Sequence, residues 1–568
     1  MKKNRLKVLL FSLAILFALP SAMAQNQRPT PVYKLADTLR GTLTPERTWW
    51  DVQRYDVTIK ADFATKSTQG SNRITYKVVK NNSGAIKMQI DLKAPLKIEK
   101  VVYNDKKALK FEPKNGVWYI SMPAQKNGEE NSVTVYFNGK PQEAVRPPWE
   151  GGWSFKTDSL NRPWMTVTCQ GGAGASIWYP NKDHQSDEPN NGASLTMIVP
   201  DNLVGVANGK LEYKRSNGDG TTSYKWNVIN PINNYCLIPY IGSYVNFKEV
   251  YAGEKGNLDL DYWVLDYNLE KAKNYLPKQV KNMLKSFEHW FGPYPFYEDG
   301  FKLVDVNYPG MEHQSAVSYG NQYKYGYGGR DQSGTGWGLL FDFIVIHESG
   351  HEWFGNNITT NDLADMWVHE GFTNYSETLF VDYIFGKDAA DAYNHGVRRG
   401  IRNDKPIIPQ YSVNAQGSGD MYPKASNMIH SIRHSVNDDV LFRDLLRSMN
   451  KDFYHQTVNS SDIENYISQK TKFNYSKVFD QYLRNTSIPN LEYYFSRDRK
   501  KVFFRYTNCI KGFNLPLTLK NPALKIKIFP TDEWSSYDLK ANETDLFNPD
   551  DIVKQYYIGA KQVQPISN

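Results

Sequence analysis

The chain has little cysteine, with only Cys169, Cys236 and Cys509 among its 568 residues. Three thiols allow at most one disulfide bond, so apolar packing rather than covalent cross-linking must hold the fold together. The aromatic content of 14% supplies ample side-chain area for that packing. A chain of this length exceeds what one hydrophobic core usually supports, so about two to four domains are expected. Whether any two of the three cysteines pair is left open by the sequence.

The chain also lacks a strong excess of charge of one sign. Its 68 Lys and Arg residues against 60 Asp and Glu residues give a formal net charge of +8. Basic residues occur only in short runs such as 497–501, RDRKK. This distribution is typical of a solvated surface rather than a nucleic-acid site, so no nucleic-acid partner is expected.

Long apolar runs are missing except at the amino terminus. Residues 1–24 contain basic residues, then the apolar run VLLFSLAILFAL, then Ala22-Met23-Ala24, a small-x-small cleavage site. This order predicts a secretory signal peptide and an exported protein, periplasmic or secreted. The alternative is a membrane anchor, but the run is short for a bilayer and is interrupted by Ser12 and Pro20. We therefore expect no stable membrane insertion.

The sequence VIHESGHEWF contains the pattern HExxH, with His347 and His351 four residues apart. On a helix this spacing places both imidazoles on one face, where they can bind one metal ion. Glu348 lies beside that ion and is the candidate general base. Glu370 follows after eighteen intervening residues at the start of a second helical pattern. Two His and one Glu leave one zinc position open, so one catalytic zinc ion per chain is expected.

The segments HESGHEWFGNNIT and DMWVHEGFTNYSE resemble the HExxH-x18-E signature of the zinc aminopeptidases, which include alanyl aminopeptidase and the leukotriene hydrolases. Upstream, PGMEH resembles the GxMEN motif of these gluzincins, so Gly310, Met311 and Glu312 inherit substrate binding. The resemblance implies that Glu312 binds the free amino terminus of a peptide. Pro309 and His313 depart from the motif and put the geometry of this edge in question.

Downstream, MYPKAS resembles the family segment YxKG, whose tyrosine stabilises the tetrahedral intermediate. The resemblance assigns this role to Tyr422, although Ala425 replaces the glycine. Because Pro423 disfavours helical geometry in the preceding residue, we expect Tyr422 to be extended at a helix start, with its ring in the cleft. The stretch TCQGGAGASIWYP resembles a segment of the family's β-domain, and it implies that Gln170 reaches the substrate cleft.

Hydrophobic periodicity predicts a multidomain α+β fold. Period-two patterns indicate an all-β amino-terminal domain over residues 47–255, after the signal peptide (1–24) and a linker (25–46). Residues 256–488 follow a mostly helical pattern, and the resemblance implies a thermolysin-like zinc catalytic domain there. Period two returns in residues 489–568, which predicts a small carboxy-terminal β-sandwich.

Two further features allow more than one interpretation. The Gly- and Tyr-rich segment 319–336 either borders the cleft or forms a mobile surface loop. His430 and His434 are also four residues apart, but no carboxylate follows at motif spacing. We expect them to form a helical surface pair rather than a metal site.

These observations predict a zinc metallopeptidase, most simply an aminopeptidase that releases amino-terminal residues from peptide substrates. Two alternatives stay open: an endopeptidase whose altered PGMEH edge no longer holds an amino terminus, and a zinc-bearing binding protein without turnover. The sequence leaves the preferred first residue, the peptide length and the oligomeric state open.

Overall fold

A computed structural model describes residues 32–81, 84–169, 173–520 and 524–565. The predicted signal peptide and the predicted substrate-binding residue Gln170 lie outside these ranges. Among the described residues, no helix is long and apolar enough to cross a membrane. The architecture is the multidomain α+β fold that the sequence predicts, with sheets first, helices in the middle and sheets again at the end.

The amino-terminal part has two short helices followed by strands: α1 (Leu35–Gly41), α2 (Pro45–Thr48), β1 (Trp50–Asp62), β2 (Ser67–Val78), β3 (Ile86–Ile90), β4 (Lys97–Tyr103), β5 (Lys107–Ala108), β6 (Phe111–Lys114), β7 (Val117–Met122), β8 (Glu130–Gly139), β9 (Gly152–Thr157), β10 (Pro163–Thr168), β11 (Ala193–Pro200), β12 (Val204–Val206), β13 (Lys210–Ser216), β14 (Thr221–Val228) and β15 (Tyr240–Gly242). The largest sheet has the order β13-β14-β11-β1-β2-β8-β4-β5, and a second has the order β12-β15-β10-β9. The period-two pattern is borne out along β1, where Tyr55, Val57 and Ile59 are buried in the core.

The described part of the predicted linker, residues 32–46, does not behave as a linker. It forms α1 and the start of α2, and each of these helices carries a buried arginine that pairs with an aspartate of the β-domain. Arg47 is fully buried, pairs with Asp91 and donates to the backbone oxygen of Arg40 at 2.7 Å. The backbone N–H of Asn414 in the catalytic domain donates to the Asp37 oxygen of α1 at 3.1 Å. This segment therefore joins two domains.

The catalytic part contains β16 (Tyr244–Gly253), β17 (Gly256–Leu265), α3 (Leu269–Phe291), β18 (Phe301–Asp305), β19 (Gly310–Met311), β20 (Val317–Tyr319), α4 (Phe343–Gly350), β21 (Ile358–Thr360), α5 (Trp367–Phe385), α6 (Lys387–Val397), α7 (Pro423–Val436), α8 (Asp439–Asp452), β22 (Gln456–Val458), α9 (Ser460–Thr471) and α10 (Ser476–Arg484). Its sheet has the order β16-β17-β18-β20-β19. The predicted boundary between residues 255 and 256 falls inside the β16–β17 hairpin, which is paired from Tyr244 to Leu265. Because β17 pairs in parallel with β18, the hairpin belongs to the catalytic sheet, and this part begins near residue 244.

The carboxy-terminal part contains β23 (Asn490–Phe495), β24 (Lys501–Thr507), β25 (Leu517–Lys520), β26 (Lys525–Ile528), β27 (Ser535–Asp538), α11 (Pro549–Gln555) and β28 (Gly559–Gln562). One sheet has the order β27-β24-β23-β28, and β25 pairs with β26. Its apolar side chains, such as Leu491 and Tyr556, lie in the same core cluster as those of α5 and α7. The carboxy-terminal part therefore shares one hydrophobic core with the catalytic helices.

The core of the β-domain likewise extends into the catalytic part. It includes Tyr308 and Met311, which flank the predicted substrate-binding edge. The three cysteines are free thiols, with Cys169 and Cys236 buried, so no disulfide bond joins these parts of the chain.

Candidate active site

The predicted metal ligands converge at one point between α4 and α5. The Asp342 side chain caps α4 by accepting from the Val345 N–H at 3.2 Å, and the helix carries His347 and ends next to His351. Glu370 lies in the first turn of α5. Its Oε2 atom lies 3.3 Å from Nε2 of His351 and 3.8 Å from Nε2 of His347. The three donor atoms lie within 4.8 Å of one another, and all three side chains are buried.

A glycine allows the two helices to approach this closely. A Cβ atom on Gly350 would lie 2.5 Å from Oγ of Ser376 on α5, which is far inside van der Waals contact. A larger residue at the end of α4 would therefore force the side chain of Ser376, on the helix that carries Glu370, to move.

The Nδ1 atom of each of these imidazoles also has a hydrogen-bond partner, which fixes the orientation of the ring. Nδ1 of His347 lies 2.7 Å from Oε1 of Glu377, and Nδ1 of His351 lies 3.0 Å from the backbone oxygen of Phe354. Both partners accept hydrogen bonds, so each Nδ1 carries the proton and each Nε2 presents a lone pair. Glu377 was missed at the sequence level. Glu377 lies seven residues after Glu370, which is two helical turns, so the sequence could have placed both carboxylates on the same face of α5.

The donor set fits zinc. Two neutral imidazoles and one carboxylate are a zinc set with an open fourth position. Oε2 of Glu370 is buried and has no hydrogen-bond partner, although it faces the two Nε2 atoms. A buried carboxylate oxygen without a partner is costly, and a cation among these three atoms removes that cost.

Glu348 lies beside the ligands and faces the same cavity, with 8% of its surface exposed. Burial raises its pKa to about 7, His347 opposes this rise, and the carboxylate of Glu312 adds to it. A Cβ atom on Gly310 of β19 would lie 2.8 Å from Oε1 of Glu348. The glycine of the PGMEH edge therefore leaves room for this carboxylate.

Glu312 directly follows the edge strand β19 and is buried, with 3% of its surface exposed. The Tyr235 hydroxyl donates to its Oε1 at 3.2 Å, and the Asn356 side chain donates to its backbone oxygen at 2.9 Å. Burial raises the pKa of Glu312. Single carboxylate oxygens of Glu312 and Glu348 lie within 4.8 Å of each other and of an His351 nitrogen. Two acidic groups therefore share the cavity with the metal ligands.

The two departures at PGMEH fall in different places. His313 lies in a buried polar network, with Nδ1 2.6 Å from the Tyr240 hydroxyl and 3.0 Å from Oγ of Ser318. It does not line the cavity, so this replacement leaves the cavity wall unchanged. Pro309 does line the cavity, and its carbonyl oxygen accepts from the Gly320 N–H at 2.8 Å.

Tyr422 lies at the start of α7, and its hydroxyl donates to Oε1 of Glu370 at 2.7 Å. Its ring stacks on His347 with centroids 5.9 Å apart. The expectation of an extended backbone is wrong, since φ is −79° and ψ is −83°. A 3-10 turn over Gly419–Met421 precedes this residue, so its backbone joins two helical turns. The ring nevertheless lines the cavity, where the resemblance places it.

The cavity around these groups has a volume of about 540 Å³. The β-domain contributes Pro148 and Trp149 to its wall, and these residues carried no recognisable sequence signal. Tyr327 and Gln332 of the Gly- and Tyr-rich segment also line it, so this segment borders the cleft. Arg399 also lines the cavity, and its Nε donates to the backbone oxygen of Gln332 at 3.0 Å.

The fold and the ligand set define a class of zinc peptidases in which HExxH and a later glutamate bind the metal. Residues 276–482 match the sequence model of the Peptidase family M1 domain. This part of the chain is therefore similar to that domain, and the resemblance to zinc aminopeptidases of the alanyl aminopeptidase type is confirmed.

Curated relatives match about a third to a half of the chain. Aminopeptidase N of Canis lupus familiaris is 29% identical over 212 residues, which are 35% of this chain and 20% of that protein. Endoplasmic reticulum aminopeptidase 1 of Mus musculus is 25% identical over 294 residues, 48% of this chain and 30% of that protein. Aminopeptidase B of Homo sapiens is 26% identical over 195 residues, which are 34% of this chain and 27% of that protein. The chain thus spans less than a third of the length of these relatives.

Solved structures share the fold over a longer stretch. A mutant M1 zinc metallopeptidase from Deinococcus radiodurans, bound to a Tyr-Ser-Ala substrate, has a TM-score of 0.64 with 16% identity. The superposition covers 80% of this chain and 98% of that one. The β-domain and the helical catalytic domain therefore occur together in that protein also.

Proposed function

We propose that this protein is a zinc-dependent aminopeptidase that removes amino-terminal residues from peptides. The observation that carries the proposal is the position of Glu312, whose buried carboxylate shares one cavity with the zinc ligands and Glu348. An ammonium group bound to Glu312 would have its own carbonyl two bonds away, within reach of the metal position. Only the first residue of a peptide satisfies both contacts.

His347, His351 and Glu370 would hold the zinc ion, and zinc in such a set supplies a Lewis acid that polarises a carbonyl and acidifies water. Glu348 accepts the proton of the attacking water and returns it to the leaving amine, since its carboxylate faces the same cavity. The Tyr422 hydroxyl turns from Glu370 toward the developing oxyanion and donates to it. Glu377 and the Phe354 carbonyl keep the imidazoles in the ligating tautomer.

The test compares aminoacyl fluorogenic substrates with free and acetylated amino groups. Acetylation removes the ammonium charge and leaves Glu312 buried without its partner, at a cost of about 2 to 5 kcal/mol. The acetylated substrates should therefore have kcat/KM lower by about 30-fold or more, and Glu312→Gln should shrink this difference. Glu298→Gln, a change at an exposed carboxylate, is the matched control. Equal cleavage of both substrates would instead identify an endopeptidase.

We further propose that the protein is exported after removal of residues 1–24. The basic, apolar and small-x-small order of these residues supports this proposal. Fractionation of producing cells should recover the protein outside the cytoplasm, with an amino terminus at Gln25. Recovery of a chain that begins at Met1 in the membrane fraction would refute it.

A further inference from the structure

A second group of buried ligand-type side chains lies between α6 and α7, outside the cavity of the candidate active site. It comprises Asp391 of α6 and His430 and His434 of α7. The exposed fractions are 6%, 0% and 2%. The expectation that the histidines form a pair on the helical surface is therefore wrong. Asp391 comes from the preceding helix, so motif spacing along α7 could not reveal it.

Three donor atoms of this group form a nearly equilateral triangle. Oδ1 of Asp391 lies 3.3 Å from Nε2 of His430 and 3.0 Å from Nε2 of His434. The two Nε2 atoms are 3.2 Å apart. These three lengths give an angle of about 60° at the carboxylate oxygen. The two Nε2 atoms thus approach a single carboxylate oxygen and each other at hydrogen-bond distance.

The triangle does match the ligands of a small ion. Donors at 2.0–2.1 Å from a tetrahedral zinc ion lie about 3.3 to 3.4 Å from one another. The distances of 3.0 to 3.3 Å need only a few tenths of an ångström of expansion. For comparison, the corresponding N–O distances at the HExxH site are 3.3 and 3.8 Å. The donor atoms of the second group thus lie at least as close together as those of the HExxH site.

The environment keeps the ligand atoms available. Nδ1 of His430 lies 3.2 Å from the Tyr375 hydroxyl, which orients Nε2 toward Asp391. The nearby basic residues Lys387 and Arg433 pair with Asp439 at 2.7 and 2.8 Å. They therefore do not neutralise Asp391.

We propose that Asp391, His430 and His434 bind a second zinc ion, separate from the catalytic one. Two imidazole nitrogens and one carboxylate oxygen suit zinc. This ion joins α6 to α7, the helix that begins immediately after Tyr422. It acts by holding this helix in place and does not touch the substrate.

The test is the zinc content of the full chain after chelator stripping and dialysis against chelator-buffered zinc. The parent should hold two zinc ions per chain, and His347→Ala/His351→Ala should hold one. This double variant leaves the second group intact, so the measurement does not depend on how well that group tolerates substitution. One zinc in the parent and none in the folded double variant would overturn the proposal.

A further change assigns the remaining ion. In the His347→Ala/His351→Ala background, His434→Gln should lower the content from one zinc to none and abolish the rise in Tm on zinc addition. His455→Gln, at a histidine whose Nε2 faces the Pro295 carbonyl, is the matched control and should retain one zinc. Retention of the zinc by the His434→Gln variant would place the ion elsewhere and refute the assignment. Catalytic activity enters none of these readouts, so the outcome is independent of the proposed peptidase function.

Discussion

Replacement of Tyr422 by Phe tests whether a single hydroxyl group stabilises the oxyanion in the proposed reaction. The change removes a hydroxyl that lies 2.7 Å from Oε1 of Glu370 and leaves the ring stacked on His347. Loss of one preorganised oxyanion donor lowers kcat by about 100- to 1000-fold, or about 2.7 to 4 kcal/mol. Because the free amino terminus is held by Glu312 in this proposal, KM should change little.

The same hydroxyl also has a ground-state partner, and this adds a second expected effect. Loss of a buried hydrogen bond to a carboxylate costs about 1.5 to 3 kcal/mol, so Tyr422→Phe should also lower the free energy of unfolding. The loss in kcat should exceed what partial unfolding explains, because at the assay temperature the variant stays folded.

The assay combines kcat and KM on a free aminoacyl substrate, zinc content, and urea unfolding. Tyr411→Phe is the matched control, since its hydroxyl donates to Oδ1 of Asp365 at 2.6 Å and Tyr411 does not line the cavity. It should lose comparable stability and retain kcat. A kcat for Tyr422→Phe within about threefold of the parent would show that another group stabilises the oxyanion.

Three further predictions follow from the contacts around the site. Glu377→Gln should weaken zinc binding at the HExxH site about 10- to 100-fold in a chelator competition, because the charged partner of His347 is lost; unchanged affinity would contradict the role assigned to Glu377. Gly371→Ala should cost about 1 to 3 kcal/mol in urea unfolding, since the new Cβ would lie 2.6 Å from Cβ of Ala425, and Ala425→Gly should restore most of this loss. His313→Asn should reduce the loss of stability on acidification. Burial lowers the pKa of His313 to about 3 from 6.5, so below pH 6.5 the unfolded chain binds a proton that the folded chain does not, and each pH unit costs up to about 1.4 kcal/mol. Parallel profiles for parent and variant between about pH 6 and pH 4 would exclude this contribution.

Local patterns in the sequence were sufficient to place much of the candidate site. HExxH fixed two residues on one helical face, and the second helical pattern placed Glu370 at the start of α5. The alternation of apolar residues in β1 likewise gave the buried face of a strand. These features depend on positions a few residues apart, where backbone geometry alone determines which side chains meet.

Contacts between distant segments could not be obtained in this way. The β16–β17 hairpin has the same period as the strands before it, and only its pairing with β18 assigns it to the catalytic sheet. Asp391 reaches His430 and His434 across two helices, and Arg40 reaches Asp183 from a segment expected to be a linker. In each case the partner lies more than thirty residues away, and no periodicity encodes that distance.

The cavity wall formed by Pro148 and Trp149 has a consequence for dissection of this protein. A fragment that begins near residue 244 would retain the metal ligands, the base and Tyr422. It would lose the part of the cavity wall that Pro148 and Trp149 form. It would also expose Tyr308 and Met311, whose apolar partners lie in the β-domain. The space above the zinc ligands is therefore a property of two domains together. Replacement of Pro148 and Trp149 would therefore change the wall of the cavity while leaving His347, His351 and Glu370 unchanged.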